Sequence, residues 1–165
     1  MTDMQDAGYA DKHALSKLVE RANALVRTIA FPSLTQLALR LALAVPFWRS
    51  GVNKWDGFLD LNDVAVLLFA QEFKLHLPGG PYGFPAPGIV AFLAGSAEIL
   101  LPLLLVVGLA TRLSALGLLV MTIVVQLTVP SGWPLHLTWA AMALAIMAWG
   151  PGKASADHLL ARFAR

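Results

Sequence analysis

The sequence predicts an all-α polytopic membrane protein, an antiparallel bundle of four transmembrane helices with an interfacial helix on its outer side. Three observations carry that prediction. First, 58% of the 165 residues are hydrophobic and only 13% are charged, against roughly 45–50% and about 25% in soluble domains. The mean hydropathy is +0.68, and so little charge cannot cover a soluble globule. Second, four apolar stretches of about 17–22 residues each match the ~20 needed to cross a ~30 Å hydrocarbon core. Third, none of the four has a polar face, which excludes a soluble four-helix bundle.

The first span is expected over 33–52, the second over 87–108, the third over 112–129 and the fourth over 134–150. Their ends carry the right punctuation. Pro87 and Pro134 sit in first turns, where a missing N–H costs nothing, while Pro130 and Gly150-Pro151-Gly152 stop the third and fourth spans. Residues 1–32 then form a cytoplasmic N-terminal segment, 53–86 an outer loop and 151–165 a cytoplasmic tail. No apolar core of a signal peptide precedes the first span, which is expected to remain as an uncleaved anchor. Eight basic residues (Lys12, Lys17, Arg21, Arg27, Arg112, Lys153, Arg162, Arg165) fall on one side of the spans. Three (Arg49, Lys54, Lys74) fall on the other, and Arg40 lies within the first span. This bias places both termini in the cytoplasm.

Within residues 11–30, Leu15, Leu18, Val19, Ala22, Leu25, Val26 and Ile29 recur at helical spacing with basic residues between them. Two readings stand open: a helix lying on an anionic leaflet, or a solvated helix leading into the first span. In the outer loop, 60–73 is expected to be helical but not spanning, since Asp63, Gln71 and Glu72 interrupt its apolar residues. A Pro/Gly loop follows from Pro78 to Pro87. Trp48, Trp55 and Trp133 mark the outer boundary and Trp149 the inner one, as in aromatic belts.

Arg40 and Glu98 are the polar residues least expected in lipid, where each costs roughly 2.5–3.5 kcal/mol unless compensated. At 1.5 Å per residue they lie about 10 Å and 15 Å above the inner ends of the first two spans, and a contact between them is expected. Their stripes, Gln36-Arg40-Ala44-Phe47-Gly51-Lys54 and Ala91-Gly95-Glu98-Pro102, are rich in small residues that permit close approach. Pro102, a helix-kink position, removes the helical partner of the Glu98 carbonyl. The pair reads either as a clamp that fixes helix register or as a proton or cation site. A second cluster is expected in the outer half, where Gln126, His136, Arg49 and Lys54 could hold a small anion or the carbonyl oxygens of a quinone.

The chain has no cysteine, so disulfide exchange, thiolate metal sites and iron–sulfur ligation are excluded. The four histidines are too dispersed for a zinc site or a bis-His haem. Twelve basic against ten acidic residues give no footprint for nucleic acid.

Arg40, Phe47-x-x-x-Gly51-x-x-Lys54, Ala97-Glu98, Pro102, Gly108-Leu109-x-Thr111-Arg112-Leu113 and Gly150-Pro151-Gly152-x-x-Ser155-x-Asp157 follow one another in order. Over residues 35–160 this series resembles the DoxX family of small four-span bacterial membrane proteins. The resemblance implies an inner-membrane protein linked to a redox or stress system, one of whose members is a subunit of a thiosulfate:quinone oxidoreductase. It also implies soluble redox or metal-handling partners. Two functions follow as expectations: a non-catalytic accessory or scaffold subunit, or a quinone-interacting component of an oxidoreductase. Without cysteine, flavin or haem sites the chain cannot store electrons unaided, which favours the accessory role.

Overall fold

The computed structural model describes residues 2–164, with side chains from residue 16 onward. The side chains of Lys12, Leu15 and Arg165, on which part of the charge and amphipathicity reading rests, lie outside the described residues. The chain divides into two compact units, residues 1–35 and 36–165.

The structure is mostly helical. Helix α1 (Thr2–Ile29) makes up most of the first unit, and Leu18, Val19, Leu25, Val26 and Ile29 are exposed on it. Four helices coincide with the four apolar stretches to within about a residue: α2 (Pro32–Val52), α4 (Pro87–Val107), α5 (Thr111–Thr128) and α6 (Trp133–Trp149). A short α7 (Ala156–Phe163) closes the chain, capped by the Ser155 hydroxyl, which accepts from the His158 N–H. By length and apolar content α4 and α5 can each cross a membrane, and a third crossing arises if Ser16–Ile29 and Pro32–Val52 are counted as one broken span. The other two stretches depart from an ideal span for plain reasons. Helix α6 has 17 residues, and α2 carries both Arg40 and Arg49 in 21 residues.

The segment between α2 and α4 is less helical than expected. Only α3 (Asp63–Leu67) and a π-helical turn (Leu68–Glu72) are helical. A hairpin of β1 (Trp55–Gly57) and β2 (Asp60–Leu61) precedes them, and a hairpin of β3 (Lys74–Leu77) and β4 (Gly80–Gly83) follows. Asn62 explains the late start, because its side chain accepts from the Val64 N–H at 2.7 Å and so caps α3. The second hairpin is pinned to α5 by His76 Nδ1, 3.0 Å from the Leu127 carbonyl oxygen.

The core is built from the stripes of small and apolar residues that the sequence displays. Leu43, Ala44 and Phe47 of α2 meet Leu105 of α4, Ala115 and Leu118 of α5, and Ala143 and Ile146 of α6. Phe47 and Trp139 pack with ring centroids 5.1 Å apart and planes tilted by 54°. The opposite faces carry exposed apolar side chains such as Leu93, Leu113, Leu137 and Leu144.

Gly51 sets the α2–α4 approach: a Cβ there would come within 2.9 Å of the Glu98 backbone carbon. The Glu98 carbonyl it packs on is the one whose helical donor Pro102 removes, yet α4 continues as a single helix through that proline. Gly51→Ala should therefore lower the melting temperature, the reverse of the ~0.5–1 kcal/mol gain that Gly→Ala brings in an open helix interior. Thermal unfolding in detergent measures the sign.

Candidate functional site

Two buried polar centres tie the helices together, one around Arg40 near the middle of α2, level with the end of α4, and one around Lys54 just past the C-terminal end of α2. At the first, Arg40 is 1% exposed and spends its donors on backbone carbonyls. Its Nε donates to Leu105 (2.7 Å) and Nη2 to Val106, while Nη1 donates to Pro151 (3.0 Å) and Ala154 (2.8 Å). Leu105 and Val106 lie in the last turn of α4, where carbonyls have no intrahelical partner and the helix dipole is negative. A planar cation with several fixed donors suits that geometry better than an ammonium. Gly108 makes room for it: it adopts φ 77°, and a Cβ there would meet Ser155 at 2.6 Å and Arg40 Nη2 at 2.7 Å. Alongside, Gln36 Nε2 donates to the Trp149 carbonyl at 3.1 Å.

Asp157 completes this end. Its two oxygens accept the backbone N–H groups of Ala110 (2.8 Å) and Thr111 (2.9 Å), fixing the turn between α4 and α5, in which Ala110 is held at φ 47°. Burial pushes the carboxyl up, but these N–H donors and the nearby Arg40 outweigh it and hold it below its ordinary value. A group with a depressed folded value stabilises the fold above its unfolded value and loses that contribution as pH falls through the folded one. Asp157→Asn should accordingly lower the melting temperature at neutral pH. The gap from wild type should close as pH falls below the ordinary carboxylate range, near 3.9. Melting curves from neutral pH downwards check this.

The second centre lies just past the C-terminal end of α2. Lys54 Nζ donates to Glu98 Oε2 at 2.5 Å, to Ser50 Oγ at 2.9 Å and to the Ser50 carbonyl at 3.3 Å. The pair is buried, with side-chain exposures of 13% and 6%. Trp55 follows at once in sequence. Its indole lies over Gly95, one turn from Glu98 on the same face of α4, and edge-on to Phe92 at 5.2 Å. The Trp55 Nε1 is buried and has no hydrogen-bond partner among the described residues. A cavity of about 390 Å³ opens above Lys54. Ser50, Asn53 and Asn62 line it on the polar side, Leu68, Phe69 and Phe73 on the apolar side.

The expected contact between Arg40 and Glu98 is therefore not made: Glu98 pairs with Lys54, and Arg40 with backbone. The expectation set Ser33 level with the inner end of the second span, whereas the α2 residue that meets the end of α6 is Gln36. On α4 the slide is larger: Gly51 rather than Leu43 stands level with Glu98, about eight residues or ~12 Å at 1.5 Å per residue, and this lowers Arg40 to the α4 terminus. Both predicted stripes are right in composition, since Arg40, Ala44, Phe47 and Gly51 are buried on α2, and Ala91, Gly95, Glu98 and Pro102 on α4.

The expected cluster of Gln126, His136, Arg49 and Lys54 is only half assembled. His136 Nδ1–H donates to Gln126 Oε1 at 2.8 Å, and Gln126 Nε2 donates to the Pro130 carbonyl at 3.1 Å. The two line an apolar niche of about 300 Å³ with Thr122, Trp133 and Leu137. Arg49 is exposed, because it stands about 200° around α2 from the buried Phe47 at 100° per residue. Lys54 belongs to Glu98. The Gln126–His136 bond spans one turn between consecutive helices, so His136→Phe should cost only about 0.6–2 kcal/mol, the range of single interhelical hydrogen bonds in membranes. A larger loss on thermal unfolding would give this pair a role beyond that bond.

Sequence reasoning missed Asp157 as a partner of two N–H groups and Ser50 as a partner of Lys54. The signal for Asp157 was present in the Gly150-Pro151-Gly152-x-x-Ser155-x-Asp157 run, whose glycines and serine form the turn around Arg40. The backbone carbonyls that receive Arg40 leave no mark in a sequence.

The DoxX family matches over residues 35–131, a range that holds Arg40, Lys54, Glu98 and the α4–α5 turn. A protein of Haemophilus influenzae described as "Uncharacterized protein" is 31% identical over 136 residues, covering 75% of this chain and 82% of the relative. No solved structure matches.

Proposed function

The chain belongs to the DoxX family of membrane proteins, and from that premise we propose that it is a four-span protein of a bacterial inner membrane. Helices α2, α4, α5 and α6 are the spans, both termini are cytoplasmic, and α3 with its π turn lies at the outer face. Its role is that of a non-catalytic accessory or scaffold subunit, recruiting soluble redox or metal-handling proteins in a stress-related system. The observation that carries this reading is where the buried polar groups spend their bonds. Arg40, Asp157, Lys54 and Glu98 are each engaged in links between separate parts of the helix bundle, so they serve register before chemistry. The 8-to-3 distribution of basic residues supports the orientation.

Gentle extraction with native lipid, followed by mass spectrometry of proteins and small molecules, tests the role. The accessory reading expects a soluble protein with its own redox centre or metal site to accompany the chain in stoichiometric amount. A chain that travels alone with stoichiometric quinone would replace it with the second reading, a quinone-interacting component. The Gln126–His136 niche favours that second reading by its volume and apolar walls. The hydrogen bonds already made by His136 Nδ1 and the Gln126 amide weigh against it.

A further inference from the structure

The outer end of α2 stops well short of the outer end of α4. Gly51 packs on Glu98, eleven residues into a helix that starts at Pro87, which is about 16 Å at 1.5 Å per residue. The space beside the outer half of α4 is filled by the segment that follows α2. Trp55 lies against Gly95, and Val66 reaches to within 4.0 Å of where a Gly88 Cβ would stand. This segment contains strand, π-helical and irregular backbone. Where such backbone runs at membrane depth it is tolerated only if it is buried in protein or lines water. Asn53, Asp56 and Asp60 are exposed in it, and Asp56 accepts from Asn62 Nδ2 at 2.7 Å. Carboxylates at that level need water, as does the buried Trp55 N–H that finds no acceptor in the described residues. Trp55 and Asp56 line a cavity of about 470 Å³, and the cavity above Lys54, lined by Ser50, Asn53 and Asn62, has room and polar groups to hold water of its own.

We propose that this cavity is an outward-open, water-filled vestibule that reaches about half-way down the helix bundle and delivers water and small uncharged hydrogen-bonding solutes to the Lys54–Glu98 pair. The ligand class follows from the lining. Lys54 is the one charged residue of the lining, and its pairing with Glu98 beside the cavity neutralises it, so little net charge is offered to an ion. Asn53, Asn62 and Ser50 offer hydrogen-bonding groups, and Phe69 and Phe73 close the far wall. Below the pair the route ends in the packed layer of Phe47, Leu43, Leu105 and Leu118, so the vestibule opens to one side only. The inference rests on the four-span reading and its orientation.

The cysteine-free chain provides its own background for the test. Single variants Ala65→Cys (4% exposed, in the cavity wall), Ala115→Cys (0% exposed, in the core), Tyr82→Cys in the outer segment and Ala161→Cys in α7 are treated in intact cells with a charged, membrane-impermeant methanethiosulfonate. Modification of Tyr82→Cys and Ala65→Cys, with Ala115→Cys and Ala161→Cys protected, is the expected result. Ala161→Cys modified and Tyr82→Cys protected would overturn the orientation and leave the vestibule to be judged in permeabilised membranes. There Ala65→Cys must react at least tenfold faster than Ala115→Cys, and equal protection of the two overturns the vestibule whichever way the chain faces. A second variant guards against misfolding at Ala65. Lys54→Cys should lose melting temperature and regain most of it on modification by an aminoethyl reagent, which restores an ammonium. Failure of that cysteine to react in permeabilised membranes likewise overturns the proposal.

Discussion

Arg40→Ala should be among the most damaging single polar substitutions in the chain, costing about 3–5 kcal/mol, the range for breaking a buried charge interaction from one side. It strands the carbonyls of Leu105, Val106, Pro151 and Ala154, which all accept from this one side chain. Arg40→Lys should recover little of the loss. An ammonium cannot reach carbonyls on two sides at once, whereas the guanidinium presents its donors in a fixed plane. Unfolding in detergent, followed by helical circular dichroism, measures both variants. A lysine variant as stable as wild type would show that charge at the end of α4 suffices and that the fork geometry does not matter.

The second large effect is a coupling. Lys54→Met and Glu98→Leu should each destabilise by about 3–5 kcal/mol, because each leaves its partner charged and buried. The double substitution should recover much of that, since an apolar pair of similar volume leaves no unpaired charge. A coupling energy of about 1–3 kcal/mol is the usual signature of residues in contact. Arg40→Leu combined with Glu98→Leu should instead be additive within about 0.5 kcal/mol, as for sites that share no partner. Coupling in the Arg40–Glu98 cycle with none in the Lys54–Glu98 cycle would reverse the assignment of partners made from the geometry. The Lys54–Glu98 cycle also separates the pair from the Gly51 contact, since neither substitution changes the glycine.

Much of the helical framework was legible in the sequence because apolar length, terminal prolines and the Gly150-Pro151-Gly152 stop are local properties. The four apolar stretches and the helices Pro32–Val52, Pro87–Val107, Thr111–Thr128 and Trp133–Trp149 agree because nothing distant is needed to decide them. The buried faces were legible for the same reason. Arg40, Ala44, Phe47 and Gly51 recur at helical spacing and face inward, as do Ala91, Gly95, Glu98 and Pro102. The outer segment was read less well. Residues 60 and 61 are strand rather than helix, and 74–77 pair with 80–83. Short, mixed apolar and polar runs carry no period strong enough to choose between helix and hairpin.

What the sequence by itself determined is which side chains are buried and which family the chain resembles. Which buried charge meets which partner was decided only by tertiary structure. The axial offset of α2 against α4 depends on where Gly51 can seat on the Glu98 backbone, and on Gln36 meeting the end of α6. Both are contacts between segments far apart in sequence. A slide of some eight residues is about 12 Å at 1.5 Å per residue, enough to carry Arg40 from a carboxylate to the open carbonyls of a helix end and to bring Lys54 over Glu98. A helical period fixes the face a residue occupies, but it is indifferent to sliding along the axis, and only packing between helices removes that freedom.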